Sequence, residues 1–449
     1  MIVTKIKSRN WRASSGINHA MPIPRERHGH KIVIELAAHR WLLIARGIRA
    51  FGDGFVAILV PVYLSALGLD AFHIGAIATA MLLGSAVMTL AIGFIAHRPR
   101  TDRLLVGAAI LMLLSGIGFA VAQDFWPLLI IAFIGTLNPT ASDVSVFVPL
   151  EQTVLANTAD TELRTSLFAS YSLIGSLVGA LGSLVAGTPE VLTNALSISP
   201  NAALRAMFIA YGVLGVIAAL IYGVLKLPLA APRETSARSS LGPSRRIVYT
   251  LATLFSIDSV GGGFYVQSLL ALWLFEHFGL SLTAAGSLFF WSGVLSAVSY
   301  PAAAWLARRI GLINTMVYTH LPSNLCLILV PFAPRLDVAI GLLLVRSALC
   351  QMDVPARTSY VMAVVTPPER PAAAGITSAP RSIAGSVSPI MAGYLLGLSS
   401  FGWPLVIGGA INTLYDLALL FMFRSVQPAE ERPLTSTQIE PPRPARTLP

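Results

Sequence analysis

Ionisable side chains lie inside long apolar runs of this 449-residue chain, among them Arg46, Arg49, Asp53, Asp143, Asp258, Arg346, Asp353, Arg381 and Asp416. A charge in such surroundings requires a partner, water or a function. Arg46, Arg49 and Asp53 are spaced by three and four, so they share one face of a helix. Two readings of Asp53 stay open. It binds a proton or a cationic group with Arg49 tuning it, or the two form an intrahelical salt bridge. Asp258 stands just before Gly261-Gly262-Gly263, which permit a kink or a close helix approach. Arg346 suits an anionic group, or counters Asp53 or Asp258.

Other chemistries lack their residues. No glycine-rich phosphate loop is present: the chain has four lysines and none follows a glycine, which argues against ATP-driven work by this chain alone. The two cysteines, Cys326 and Cys350, have neither metal-knuckle nor disulfide-framework spacing. No serine sits in a nucleophile elbow, and the histidines show no ligand spacing, so neither an enzyme nor a metal or cofactor is expected. The net charge of +10 does not point to nucleic acid, because the basic residues cluster in alternate breaks between apolar runs.

The elements that must position these charges are membrane helices. Apolar residues make up 55% of the chain and charged ones only 12%, about half what a soluble domain carries. The apolar excess falls in blocks of about 20 residues or more, long enough to cross a hydrocarbon core, and only helices satisfy their own backbone there. Twelve spans are read near 42–67, 71–96, 104–122, 126–149, 165–187, 204–228, 247–275, 284–306, 312–332, 338–361, 372–397 and 402–424. Residues 1–40 read as a basic tail, 229–246 as a polar linker and 425–449 as a disordered tail. Eight Lys or Arg in the N-terminal tail, with Arg98, Arg100, Arg103, Arg308 and Arg309 after spans 2 and 8, place both termini in the cytoplasm.

A repeat divides the spans into two sets. An offset of 211 superposes Gly68-Leu69 on Gly279-Leu280, Gly75 on Gly286, Ser85-Ala86-Val87 on Ser296-Ala297-Val298 and Arg98 on Arg309. An offset of 210 brings Asp143-Val144 onto Asp353-Val354 and Gly175 onto Gly385. The fold class expected is an all-α membrane protein of twelve helices in two pseudo-symmetric six-helix bundles, 41–228 and 247–424.

Residues 41–424 resemble the major facilitator superfamily. The basic break after span 2 reads Gly93-Phe-Ile-Ala-His97-Arg98-Pro-Arg100, with His97 where the family usually has Asp, and a second copy reads Ala307-Arg308-Arg309-Ile310-Gly311. The stretch Met352-Asp-Val-Pro-Ala-Arg-Thr-Ser-Tyr, with Glu369-Arg370, looks like a recurrent bacterial transporter branch. The resemblance implies that spans 1, 4, 7 and 10 line a central cavity, that 2, 5, 8 and 11 form the sliding interface, and that 3, 6, 9 and 12 face lipid. Asn138, Gln267, Tyr265 and Trp273 then become cavity neighbours of Asp53, Arg49, Asp258 and Arg346, and Asp416 becomes a structural hydrogen-bonder. Arg98 with Asp143, and Arg309 with Asp353, are expected to form two repeat-related contacts that hold the outward-facing state. Arg381 is expected at the interface, pairing with Asp143 or a helix end. The Gly-Pro signature of many antiporters in span 5 is absent, since Ala180 follows Gly179.

The function expected is secondary transport of a small solute by alternating access, proton-coupled and exporting, by a monomer in the cell inner membrane. The competing class is a non-transporting sensor or scaffold that kept the fold, against which the buried charges argue.

Overall fold

Glycine and proline decide where the apolar blocks stop being helical. The computed structural model describes residues 25–95, 101–140, 145–158, 161–225 and 241–424, and no strand occurs among them. The first set of helices is α1 (Arg25–Ala66), α2 (Ala71–Ile95), α3 (Thr101–Val121), α4 (Phe125–Ile134), α5 (Phe147–Thr158), α6 (Thr161–Val185), α7 (Thr188–Leu196) and α8 (Pro200–Val224). The second set is α9 (Arg245–Gly263), α10 (Gln267–Phe278), α11 (Leu282–Ile310), α12 (Leu312–Leu329), α13 (Leu336–Cys350), α14 (Asp353–Val364), α15 (Arg370–Leu398) and α16 (Trp403–Phe423). Nine stretches among the described residues are long and apolar enough to cross a membrane, and some run through a break, as Arg245–Phe278 and Leu336–Val364 do.

Helix α1 starts earlier than expected. Residues 25–40, read from sequence as part of a polar tail, are helical, because no proline follows Pro24 until Pro61 and the intervening residues favour helix. Its 42 residues reach about 63 Å at 1.5 Å per residue, twice a hydrocarbon core. The remaining tails, 1–24 and 425–449, and residues 226–240 of the linker region lie outside the described residues.

The repeat reappears as backbone geometry. Gly68 and Gly279 both adopt positive φ, 85° and 62°, at the turns that end α1 and α10, a conformation open to glycine without a Cβ clash. Those turns gather at one end of the molecule, here the far face. The Tyr63 hydroxyl donates to the Ala122 carbonyl there, Trp273 Nε1 donates to the Ser400 carbonyl at 3.2 Å, and His73 packs on Phe125. The opposite end, where α16 finishes, is the terminal face.

The two faces are packed differently. Toward the far face one continuous apolar core joins both sets of helices, from Phe55, Leu59, Tyr63 and Ile77 through Leu269, Trp273, Leu288 and Leu405. Toward the terminal face the core divides. One part is built from Leu42, Leu105, Leu150, Tyr171 and Tyr222, all in the first set. The other is built from Val248, Met316, Tyr360, Ala373 and Tyr415, all in the second. The molecule is closed at the far face and parted at the terminal face.

Small residues make the seam. Gly75 of α2 meets the backbone of Pro389 and Gly393 of α15 so closely that a Cβ on either glycine would strike the other helix. Gly286 of α11 meets the Ser183 carbonyl of α6 in the same way, and Gly293 lies against Ala180. Such contacts let helix backbones approach within a membrane. Polar ties across the seam are few: Ile390 N–H donates to Thr79 Oγ1 at 2.9 Å, and Glu190 accepts from Leu282 N–H, Thr283 N–H and the Thr283 hydroxyl.

Candidate functional site

Helix α1 carries Arg46, Arg49 and Asp53 along one face, and each finds a different partner. Arg46 lies over the Tyr171 ring, 4.9 Å from its centroid, in space that exists because Gly175 has no side chain. Arg49 does not pair with Asp53 alone, as expected, but forms an ion pair through Nη2 with Glu151 of α5. Its Nε donates to the Tyr222 hydroxyl at 3.1 Å, and its guanidinium stacks 4.0 Å over Phe147. Glu151 also accepts from the hydroxyls of Tyr171, at 2.6 Å, and Tyr222. Arg49 is 1% exposed and Glu151 not at all. A buried pair so enclosed ties α1, α5, α6 and α8 together. Asp53, one turn on and also buried, accepts from the Tyr211 hydroxyl at 3.4 Å.

The second set repeats the device with the charges exchanged. Here the acid, Asp258, is on α9, and the base, Arg357, is on α14. Arg357 Nη2 donates to Asp258 Oδ2 at 2.8 Å and to Asp353, one helical turn before it. Its guanidinium lies over Phe255. Arg381 of α15 donates to the Ser259 hydroxyl of α9 at 2.9 Å; its expected partner Asp143 lies outside the described residues. Asp416 is buried between two donors on α12, accepting from Asn324 Nδ2 at 2.9 Å and facing His320 Nδ1 at 3.0 Å.

The expected Arg309–Asp353 contact is not formed. Arg309 is exposed at the end of α11 and stacks over Trp305, while Asp353 is neutralised by Arg357. Arg98 and Asp143, the repeat-related pair, lie outside the described residues.

The interrupted helices meet between the two charge clusters. Helix α4 ends at Gly135 and α5 resumes at Phe147. Helix α9 ends at Gly263 and α10 begins at Gln267. The Ser268 N–H donates to the Pro139 carbonyl at 3.0 Å, linking these breaks. Broken helices with polar backbone are where membrane transporters bind solute. Asn138 Oδ1 accepts from the N–H and hydroxyl of Thr140. Gln267 Nε2 is buried without a partner. Tyr265 accepts from Asn412 Nδ2 at 2.6 Å, and Arg346 lies 4.6 Å over its ring. Both readings of the triple glycine hold, since α9 breaks directly after Gly263 and Gly261 and Gly263 pack against Asn412 and Gly385. Trp273 belongs to the far-face core instead.

Glu151, Arg357 and His320 escaped the sequence reading. Glu151 falls two residues beyond the end read for its span. Arg357 had a local signal, its i, i+4 spacing from Asp353.

A family model described as Major Facilitator Superfamily matches residues 42–350 and again 252–448. The chain is similar to a Saccharomyces cerevisiae protein described as uncharacterized membrane protein YJR124C, at 24% identity over 413 residues, covering 84% of this chain and 92% of that one. Solved structures share the fold at low identity. The nucleoside transporter NupG aligns at 15% identity and TM-score 0.65 over 86% of this chain and 99% of its own. An inward-facing, occupied bacterial homolog to the human lysosomal transporter Spinster gives 14% and 0.67 over 86% and 96%. The inward-open xylose transporter XylE from E. coli gives 17% and 0.65 over 90% and 98%.

Proposed function

Because the chain belongs to the Major Facilitator Superfamily, whose members are transporters rather than enzymes, we propose that it carries a small solute across a membrane by alternating access. The reading takes twelve passes: α1, α2, α3, α4 with α5, α6 and α8, then α9 with α10, α11, α12, α13 with α14, α15 and α16. They form two six-helix bundles, 41–228 and 247–424, in a monomer of the cell inner membrane with both termini cytoplasmic. The observation that carries it is the divided core. Joined at the far face and parted at the terminal face, the bundles are arranged as one of two alternating states require. Buried carboxylates in the central helices, Asp53 and Asp258, support proton coupling, and Arg49, Arg346, Gln267 and Asn138 complete the solute and proton region. Export is the direction assigned, on the titratable carboxylates in the cavity helices. Arg98 with Asp143 and Arg309 with Asp353, each within its own bundle, are the contacts proposed to hold the opposite state, and Arg381 rides the interface.

The test is accessibility. With Cys326 and Cys350 replaced by serine, a Thr79→Cys variant in proteoliposomes is expected to react with an impermeant maleimide from the far side only when the bundles have exchanged states. Labelling that never changes with a solute or proton gradient sinks the proposal.

A further inference from the structure

The carboxylates around Arg346 are already engaged. Asp258 and Asp353 are bridged by Arg357, and Asp416 is held by His320 and Asn324. Arg381 has its hydroxyl partner in Ser259. No carboxylate among the described residues pairs with the Arg346 guanidinium: its only side-chain acceptor is the neutral Tyr265 hydroxyl, its Nε is buried and unpartnered, and the residue is partly exposed. Arginine does not escape this by losing its proton. A guanidinium in low-dielectric surroundings without a counter-charge is costly, so its persistence at this depth calls for an anion that comes and goes.

The surroundings suit an oxyanion. The Tyr265 ring supports one face of the guanidinium, fixing the planar fork that matches carboxylate or phosphate oxygens. Asn412 holds Tyr265 in place through its hydroxyl. Two residues beyond Tyr265, α10 begins at Gln267 with no side-chain cap, and a helix start carries positive partial charge. The Gln267 amide adds a buried donor without an acceptor. We propose that Arg346, stacked on Tyr265 near the start of α10, is the point at which the transported solute is held by an oxyanion group, a carboxylate or a phosphate ester. This deepens the transport reading and rests on it.

The full-length chain is purified in detergent and its melting temperature followed with two matched pairs of probes: benzoate against benzamide, and phenyl phosphate against phenol. At millimolar concentration at least one oxyanion raises the melting temperature of the wild type and its neutral analogue does not. A response to benzoate alone assigns a carboxylate, and one to phenyl phosphate alone a phosphate ester. Arg346→Gln weakens that response at least about tenfold, while Arg346→Lys, which keeps the charge but not the fork, retains part of it. Without any probe, Arg346→Gln melts no lower than the wild type, because it removes an uncompensated charge. A lower melting point for the unliganded variant, equal responses in the variant and wild type, or no response to either oxyanion overturns the assignment. If accessibility at Thr79→Cys still exchanges under those outcomes, only the oxyanion site fails. If accessibility never exchanges in the parent protein, the transport reading fails whatever the probes do.

Discussion

Replacing Glu151 by glutamine is expected to be among the most damaging single-atom changes in the first set of helices. The carboxylate accepts from Arg49, Tyr171 and Tyr222, with no solvent exposure. Glutamine keeps one acceptor oxygen but turns an amide donor toward a group that is itself a donor. It also leaves the Arg49 charge unmatched. Breaking a buried pair from one side costs about 3–5 kcal/mol. Arg49→Met, which strands the carboxylate between two tyrosines, should cost a similar amount. If the sites were independent, the double variant Arg49→Met with Glu151→Leu would lose about 6–10 kcal/mol. Removing both charges together leaves no stranded ion, so the double variant should be no worse than the poorer single one. Reversible unfolding in mixed micelles measures all three. Additive losses, or a loss below about 1 kcal/mol for Glu151→Gln, would refute the claim that this pair fastens α1 to α5.

Three further outcomes follow from the seam and the loops. Glu190→Ala removes three acceptor contacts that tie α7 to the start of α11, so labelling of Thr79→Cys from the far side should rise about tenfold for each 1.4 kcal/mol lost. Gly75→Leu or Gly393→Leu puts a side chain where the opposing backbone lies, and each should hold the far face open, read as constant labelling with transport lost. Glu369 accepts from Thr366 and Ser244 hydroxyls and the Gly242 N–H, and these bonds, Thr366 first, hold its carboxyl down to about 2. Its depressed value means that the clip between residues 242–244 and the turn after α14 is fully present above about pH 4.5 and is lost as pH falls toward 2. Glu369→Gln should flatten that part of the pH–stability curve, and an unchanged curve would dismiss the clip.

Much of the architecture was legible because it is local or repeated. The apolar blocks give the helices, and the 211-residue offset paired Gly68 with Gly279 and Gly75 with Gly286, which share turn geometry and a place on the seam. Partnerships were harder to read. Arg49 and Asp53 are spaced to meet, yet Glu151, 102 residues on, takes the stronger contact. The acid at 416 called for a donor, but nothing in the sequence around it points to His320, 96 residues earlier. Arg309 and Asp353 match Arg98 and Asp143 by repeat, but Arg357, one turn from Asp353, takes its carboxylate instead.

The distribution of strong and weak contacts decides what can move. Within each set a buried ion pair joins the first long helix to the broken one: Arg49 on α1 with Glu151 on α5, and Asp258 on α9 with Arg357 on α14. Their polarity is opposite, yet each set neutralises its own pair, so neither depends on the other for charge balance. Between the sets the far-face seam is the shared apolar core, glycine against backbone, Ala180 against Gly293, and a handful of hydrogen bonds. A hydrogen bond of that kind contributes about 0.5–1.5 kcal/mol net, against about 3–5 for a buried pair broken from one side. The polar ties across the seam are therefore weaker than those inside either set. That ordering lets the seam exchange its polar contacts while each half keeps its ion pair, and Arg346, without a carboxylate partner in its own half, is left as the charge that a solute can satisfy.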